Sequence, residues 1–284
     1  MRLEDSISKF IERPFPLWET NLTQELVLNK WKQLQQFGLT NRDDYTTARI
    51  WLNNPLLQPD KKILTTEGNG ENTFLEMPSP LLKSFYEEHG LEILCNKESE
   101  SVIVLKKLQS AFKILQQVKP VYDCITTLVR TIQVLRTDDP EIDLSYSHPK
   151  IPFSIFVSVC EDASTISNLR VAESILHEAM HLKLTLIEEI VPLVLTSTAK
   201  LYYSPWKNEQ RSTQGVLHGL FVFRVIYEFW KELDRNNDTP NPQNFFCSRK
   251  REIEREIISL KDFNSHIGLT EYGASLAINL LPLS

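Results

Sequence analysis

The amino-acid sequence predicts a mainly α (α+β) fold: a helical protein with one small β element. Three observations carry that prediction. Apolar residues recur at helical spacing in several long stretches, and a single segment, Pro152 to Cys160, switches to a β-branched and aromatic composition between prolines and an acidic pair. The composition, 42% hydrophobic and 24% charged over 284 residues, is globular and sufficient for one large domain or two smaller ones.

Taken in order, residues 22–37 place Leu22, Leu26, Trp31, Leu34 and Phe37 at helical spacing after a loop holding Pro14 and Pro16. Residues 53–80 are rich in Pro, Asn, Gly and Glu, which predicts loops and marks this stretch as a candidate lid or insertion. A short helix follows over 81–94. Two longer ones, 101–118 and 121–136, are separated by Pro120, a residue suited to the first turn of the second. Val121, Ile125, Leu128, Ile132 and Leu135 form one apolar face, so the pair reads as an antiparallel hairpin. After the strand at 152–160, Ser164 or Thr165 can cap a helix running to about Pro192. A further helix is predicted over 213–230. Residues 1–100 form an N-terminal helical and loop region, a candidate for peptide recognition, and residues 101–284 a second domain.

Net charge −6 and a pI near 5.6 supply no field for nucleic acid, and no basic cluster is interleaved with aromatics. The N-terminus, MRLEDSISKFIERPFP, lacks the basic start and apolar run of a signal peptide, and no apolar stretch has membrane-spanning length. These features predict a cytoplasmic protein without a membrane partner. Cys95, Cys124, Cys160 and Cys247 have no C-x-x-C spacing, so buried thiols are expected rather than disulfides or a thiolate metal site.

The long helix over 165–192 contains His177-Glu-Ala-Met-His181, an H-E-x-x-H pattern. Histidines four residues apart stand one turn above each other on one face, close enough to bind a single ion. At 100° per residue Arg170, Glu173, His177, His181 and Glu188 fall within about 40° of one line. Leu169, Ala172, Ile175, Leu176, Ala179 and Leu182 flank that stripe. A strand feeding directly into such a helix is the arrangement of zincin-like metal sites, in which the strand edge lies beside the metal and holds extended peptide.

Two histidines do not complete a metal site. Glu188, about two turns or ~10 Å beyond His181, is too distant to share the ion, and with Arg170 and Glu173 it reads as a structural or outer-shell group. The strongest third ligand is His218, bracketed by Gly215 and Gly219, which would let another backbone approach. A core histidine is the alternative there. His89, His148 and His266 have no such setting. Glu178, about 100° off the stripe, is either the proton acceptor of a zincin-type site or a helix-surface or outer-shell carboxylate. The segment Leu201 to Thr213 carries Lys207 and Arg211 upstream of the His218 helix, a candidate site for an anion and above all a carboxylate.

H-E-A-M-H at 177–181, Ser-Pro-Trp-Lys-x-x-x-Arg at 204–211 and Gly-Val-Leu-His-Gly at 215–219 together resemble the H-E-x-x-H peptide-modification family of 2-oxoglutarate-dependent peptide β-hydroxylases. The resemblance covers roughly Pro152 to Trp230. It implies an Fe(II) site at His177, His181 and His218. It also implies 2-oxoglutarate as co-substrate with Arg211 on its distal carboxylate, O₂ as oxidant, and a ribosomally synthesised precursor peptide as substrate. Family members often carry Arg in place of Lys207 and Arg-Pro in place of Arg211-Ser212, and Lys does not replace Arg in a bidentate contact. Three histidines also depart from the usual two-histidine, one-carboxylate oxygenase triad, which leaves a role for Glu178 at the iron open. Two other readings use the same residues: a zinc peptidase with Glu178 as general base, and a non-enzymatic helical peptide-binding protein.

Overall fold

A computed structural model of the chain describes residues 2–38, 61–64, 73–94, 101–137, 139, 141–159, 162, 164–195, 201–236 and 241–282. Among these residues the protein is mainly helical, with nine α-helices, a five-stranded sheet and a two-stranded hairpin. The chain divides into two units, residues 27–182 and residues 1–26 with 183–284.

The helix α2 (Thr20–Gly38) leads into the unit of residues 27–182. There follow β1 (Lys61–Ile63), β2 (Phe74–Glu76), α3 (Lys83–Glu88), α4 (Val102–Gln116), α5 (Lys119–Leu128), β3 (Thr131–Leu135), β4 (Ser145–Ser147), β5 (Ser154–Ser158) and α6 (Thr165–Glu188). The strand order is β1-β2-β3-β5-β4, with β2, β3 and β5 parallel and the two edges, β1 and β4, antiparallel to their neighbours. β3 and β5 run in register from Thr131 opposite Ser154 to Leu135 opposite Ser158, and every residue of both is buried.

Three expectations change here. The periodicity of 121–136 predicted one helix, but the helix ends at Leu128. Pro120 does sit in its first turn. Near the end the Thr126 and Thr127 hydroxyls donate to the carbonyls of Tyr122 and Asp123, and Val129 turns extended. The β-branched run Thr131-Ile-Gln-Val-Leu135 then becomes the central strand. A strand covered on both faces shows no alternation, so Ile132 and Leu135 imitate helical spacing. Within 53–80, read as loops and a candidate lid, the described residues supply β1 and β2; residues 53–60 and 65–72 lie outside the described set. The strand beside α6 is also not an edge, because β5 is enclosed by β3 and β4 and the edge is β4.

α6 begins where the sequence placed it. The Ser164 hydroxyl accepts from the Ser167 amide at 3.1 Å, capping the helix. The buried Lys107 ammonium meets the Asp162 carbonyl and the Ser167 hydroxyl, fixing that end to α4.

The other unit holds α1 (Leu3–Glu12), β6 (Leu201–Ser204), β7 (Glu209–Ser212), α7 (Thr213–Asn236), α8 (Phe245–Ile258) and α9 (Glu271–Leu280). Its core is aromatic: Trp230 of α7 stacks on Phe246 and meets Phe229 and Phe245. Gly273 allows α9 to pass the chain after α6, since a Cβ there would lie 1.9 Å from the Leu193 carbonyl oxygen. Lys183, fully buried, donates to the carbonyls of Leu17 and Glu19 and so holds the N-terminal segment. Cys124 is a buried thiol and Cys247 a half-buried one; Cys95 and Cys160 lie outside the described residues. Among the described residues no helix is long and apolar enough to cross a membrane.

Candidate metal centre

The polar stripe of α6 is where the wheel puts it. Leu169, Ala172, Ile175, Leu176, Ala179 and Leu182 are buried, whereas Arg170, Glu173, His177, His181 and Glu188 are all half-buried. Arg170 donates to the Asp143 carboxylate at 2.8 Å and to the Glu141 carbonyl at 2.8 Å, a structural pairing. One turn apart, the His177 and His181 Nε2 atoms stand 3.1 Å from each other, their rings 4.7 Å between centroids. Without a metal this is a hydrogen bond in which one ring donates. With one it is a bite: imidazole nitrogens on bonds of about 2.1 Å stand ~3.0 Å apart at a right angle and ~3.4 Å at the tetrahedral angle. The observed spacing lies between these limits, so the pair fits two positions on one ion. Among the described residues no group of three or more His, Cys, Asp or Glu side chains is gathered to hold a metal.

Glu178 faces away from solvent, with its side chain 5% exposed. Its Oε1 accepts from the Ser145 hydroxyl and its Oε2 from the Ser147 hydroxyl, each at 2.6 Å. These serines alternate on β4, so they share one face of the edge strand. Tyr146, between them, points the other way, where its hydroxyl meets His89 Nδ1 at 3.0 Å. Oε1 also lies 3.9 Å from His177 Nε2. The carboxylate thus ties the edge strand to the motif helix. The sequence showed Ser145-Tyr-Ser147 as an alternating triplet, but nothing in it linked that triplet to Glu178, 31 to 33 residues away.

In the other unit His218 lies on α7 as predicted, and its Nε2 is 2.8 Å from Oε2 of Glu188, the last residue of α6. Glu188 is therefore paired with a histidine, in keeping with its reading as a structural or outer-shell group. The flanking glycines serve a different neighbour from the one expected. A Cβ at Gly219 would lie 2.6 Å from two carbons of the Trp206 ring, and one at Gly215 would meet the Ser212 hydroxyl and Arg211 Nε. They admit side chains of the preceding segment, not a second helix backbone.

That segment, read as a basic loop, is the β6–β7 hairpin, paired from Leu201 opposite Ser212 to Ser204 opposite Glu209. Its turn holds Trp206 and Lys207, and closes through Asn208 in a left-handed conformation, φ 51°. Trp206 stacks on Phe223 at 5.0 Å, nearly parallel, and its buried indole N–H has no hydrogen-bond partner among the described residues. The Ser212 hydroxyl accepts from the Gly215 amide at 3.1 Å and caps α7. Arg211, beside that first turn, is 42% exposed and lies 3.3 Å from the Glu209 carboxylate; Lys207 is exposed. His266 meets the Thr213 hydroxyl at 3.3 Å, and His148 packs against His89 and Tyr146.

Compared with known proteins, the chain matches no protein-family model and no curated relative.

Proposed function

We propose that the protein is an Fe(II)/2-oxoglutarate-dependent oxygenase that hydroxylates a side chain of a ribosomally synthesised precursor peptide, at its β-carbon, on a zincin-like core. The observation that carries the reading is the 3.1 Å spacing of His177 and His181 Nε2 on a half-buried stripe. His177, His181 and His218 are the proposed ligands, and Arg211, with Lys207, the proposed cation for the distal carboxylate of the co-substrate. Iron with 2-oxoglutarate and O₂ supplies the oxidising power for hydroxylation, the co-substrate leaving as succinate and CO₂. Arg211 already lies beside one carboxylate, that of Glu209, so an incoming dicarboxylate replaces an existing partner.

Glu178 favours this reading over the zinc hydrolase. A general base has to reach a water in the open coordination position. A carboxylate held at both oxygens by β4 hydroxyls must first give up one of those hydrogen bonds. The peptide half of the reading is supported by β4 itself. The Ser158 amide donates to the Leu144 carbonyl, which makes Leu144/Ser158 and Tyr146/Phe156 the hydrogen-bonded pairs of the ladder. Ser145 and Ser147 then direct their N–H and C=O groups to the outer edge, where an extended peptide adds as a strand. A cytoplasmic location accords with this co-substrate.

Anaerobic titration with Fe(II) and 2-oxoglutarate tests the proposal. A weak visible charge-transfer band is expected, absent in His177→Ala, together with succinate formation on the cognate peptide. No band and no succinate overturn it. Peptide cleavage by the zinc-loaded protein, abolished by Glu178→Gln, would establish the hydrolase instead.

A further inference from the structure

β4 presents Ser145 and Ser147 to Glu178 on one face, and on the other Tyr146 joins His89 and His148 in a cluster of titratable groups. The His148 ring centroid lies 4.7 Å from that of His89, 5.5 Å from that of Phe85 and 6.1 Å from that of Tyr146, on which it stacks. His89 follows the last residue of α3, and its Nε2 is buried without a hydrogen-bond partner among the described residues. His148 Nδ1 accepts from the Lys150 amide at 3.1 Å, and the His148 carbonyl accepts from the Ile151 amide at 3.0 Å, so this residue closes the turn between β4 and β5. A ring nitrogen that accepts a hydrogen bond carries no proton. Protonated there, the ring would set one N–H against another within a layer of aromatic side chains. The charged groups around it do not offset that cost. Partial burial, then His89 and Lys150, lower the pKa of His148 from 6.5; Glu88 opposes them, but its carboxylate is half exposed and 3.9 Å from the Lys150 ammonium. Burial, then Glu178 and Glu88, raise the pKa of Tyr146.

We propose that His148 is an acid-opened latch on β4: one proton taken up at Nδ1 releases the Lys150 amide, the ring leaves the His89 and Tyr146 layer, and the end of β4 that carries Ser147 parts from β5. The step moves one proton from solvent to the ring and breaks no covalent bond. Closed, the latch holds the Ser147 hydroxyl on Glu178 Oε2. Open, it withdraws that donor. The far end of β4 stays tied to β5, where the Ser158 amide donates to the Leu144 carbonyl at 2.7 Å, so Ser145 keeps its place on Oε1. Water solvates the imidazolium of the open turn, so the open form takes up the proton more readily than the closed one. Acid therefore favours opening and neutral pH closure, and with one proton linked the equilibrium shifts by at most about tenfold per pH unit. The latch depends on neither a metal nor a peptide.

Native-state hydrogen exchange of the full-length chain, followed by NMR from pH 7.5 to pH 5 and corrected for intrinsic exchange rates, provides the test. The Ile151 amide reports the turn, the Tyr146 amide the strand end, and the Ser158 amide the end that stays paired. Protection at Ile151 and Tyr146 is expected to fall relative to Ser158 by up to about tenfold per pH unit, with the midpoint of the His148 ring titration. In His148→Asn the side-chain oxygen still accepts from the amide two residues on and does not titrate, so the fall is expected to vanish. A constant ratio in wild type overturns the proposal, and so does an equal fall in a folded His148→Asn. Should that variant not fold, wild type decides: a loss of protection whose midpoint differs from that of the His148 ring overturns the latch. Loss at Ile151 with none at Tyr146 confines opening to the turn and overturns the link to Glu178.

Discussion

Glu178 and Glu188 stand ten residues apart on α6, about 15 Å along its axis, and their surroundings differ in kind. Glu178 is met by two neutral hydroxyls from one strand, one per oxygen. Glu188 has an imidazole and an amide crowded onto one oxygen and nothing on the other among the described residues. A completed set of hydrogen bonds gains its free energy in folding, whereas a buried oxygen left without a partner costs it. Two carboxylates of one helix thereby differ in how fully their oxygens are satisfied. The H-E-x-x-H pattern nominated Glu178, the carboxylate whose two oxygens are both met by β4 hydroxyls, for chemistry.

The largest expected effect tests whether the histidine pair between these carboxylates is a metal bite at all. His177→Ala removes one of two converging nitrogens and should lower Co(II) or Fe(II) affinity by at least about 100-fold, more than loss of an outer-shell partner. Equilibrium titration with a competing chelator measures it. Next comes Glu178, the strut between β4 and α6. Ser145→Ala and Ser147→Ala each leave a buried carboxylate oxygen unpaired, and each should cost about 1.5–3 kcal/mol in denaturant unfolding. Metal affinity should fall far less than in His177→Ala. If a serine variant were as stable as wild type but lost the metal, Glu178 would serve the metal site rather than tie β4 to α6.

What the sequence disclosed follows the same division. α6 was legible from its start at Ser164, because its stripe and buried flanks repeat at one period, although it ends at Glu188 rather than near Pro192. His177 and His181 needed only that period to be placed together. β5 was legible from its composition, but β3 was not: buried on both faces and continuous with α5, it carried apolar residues that fit a helix as well as a strand. β1, β2 and β4 are three residues each, too short for a period to emerge. The contacts that distinguish Glu178 from Glu188 come from residues 26 to 33 positions away in sequence, and pairing over such distances is set by tertiary packing, which local pattern does not encode.

A smaller effect probes the Glu188 side through the hairpin. In Gly219→Ala the new methyl collides with Trp206 at 2.6 Å, and the ring is backed by Phe223, so it cannot yield without losing its stack. A destabilisation of about 1–3 kcal/mol is expected, with a change in Trp fluorescence. Because Gly219 directly follows His218, a concurrent loss of metal affinity would show that the hairpin also braces the histidine. An unchanged affinity shows that the hairpin does not brace the histidine.

The smallest expected effect lies beside the strut. His148, next to Ser147, has its pKa lowered from 6.5, first by partial burial and then by His89 and Lys150, with Glu88 opposing. The ring packs with His89, Tyr146 and Phe85. A histidine whose folded-state pKa is depressed takes up its proton more readily when unfolded. Above the unfolded pKa both states are neutral and nothing is lost; as pH falls below about 6.5 and toward the folded value, stability declines. The decline should be modest, since the ring is half exposed and its charge partly screened. Melting temperature followed from pH 7.5 to pH 5 should therefore fall less steeply in His148→Asn than in wild type. If the strut depends on the β4–β5 turn, the Ser147→Ala variant should also be more sensitive to this acid loss than Ser145→Ala, which stands further from the ring. Equal sensitivity in the two variants would mean that β4 holds Glu178 independently of its turn.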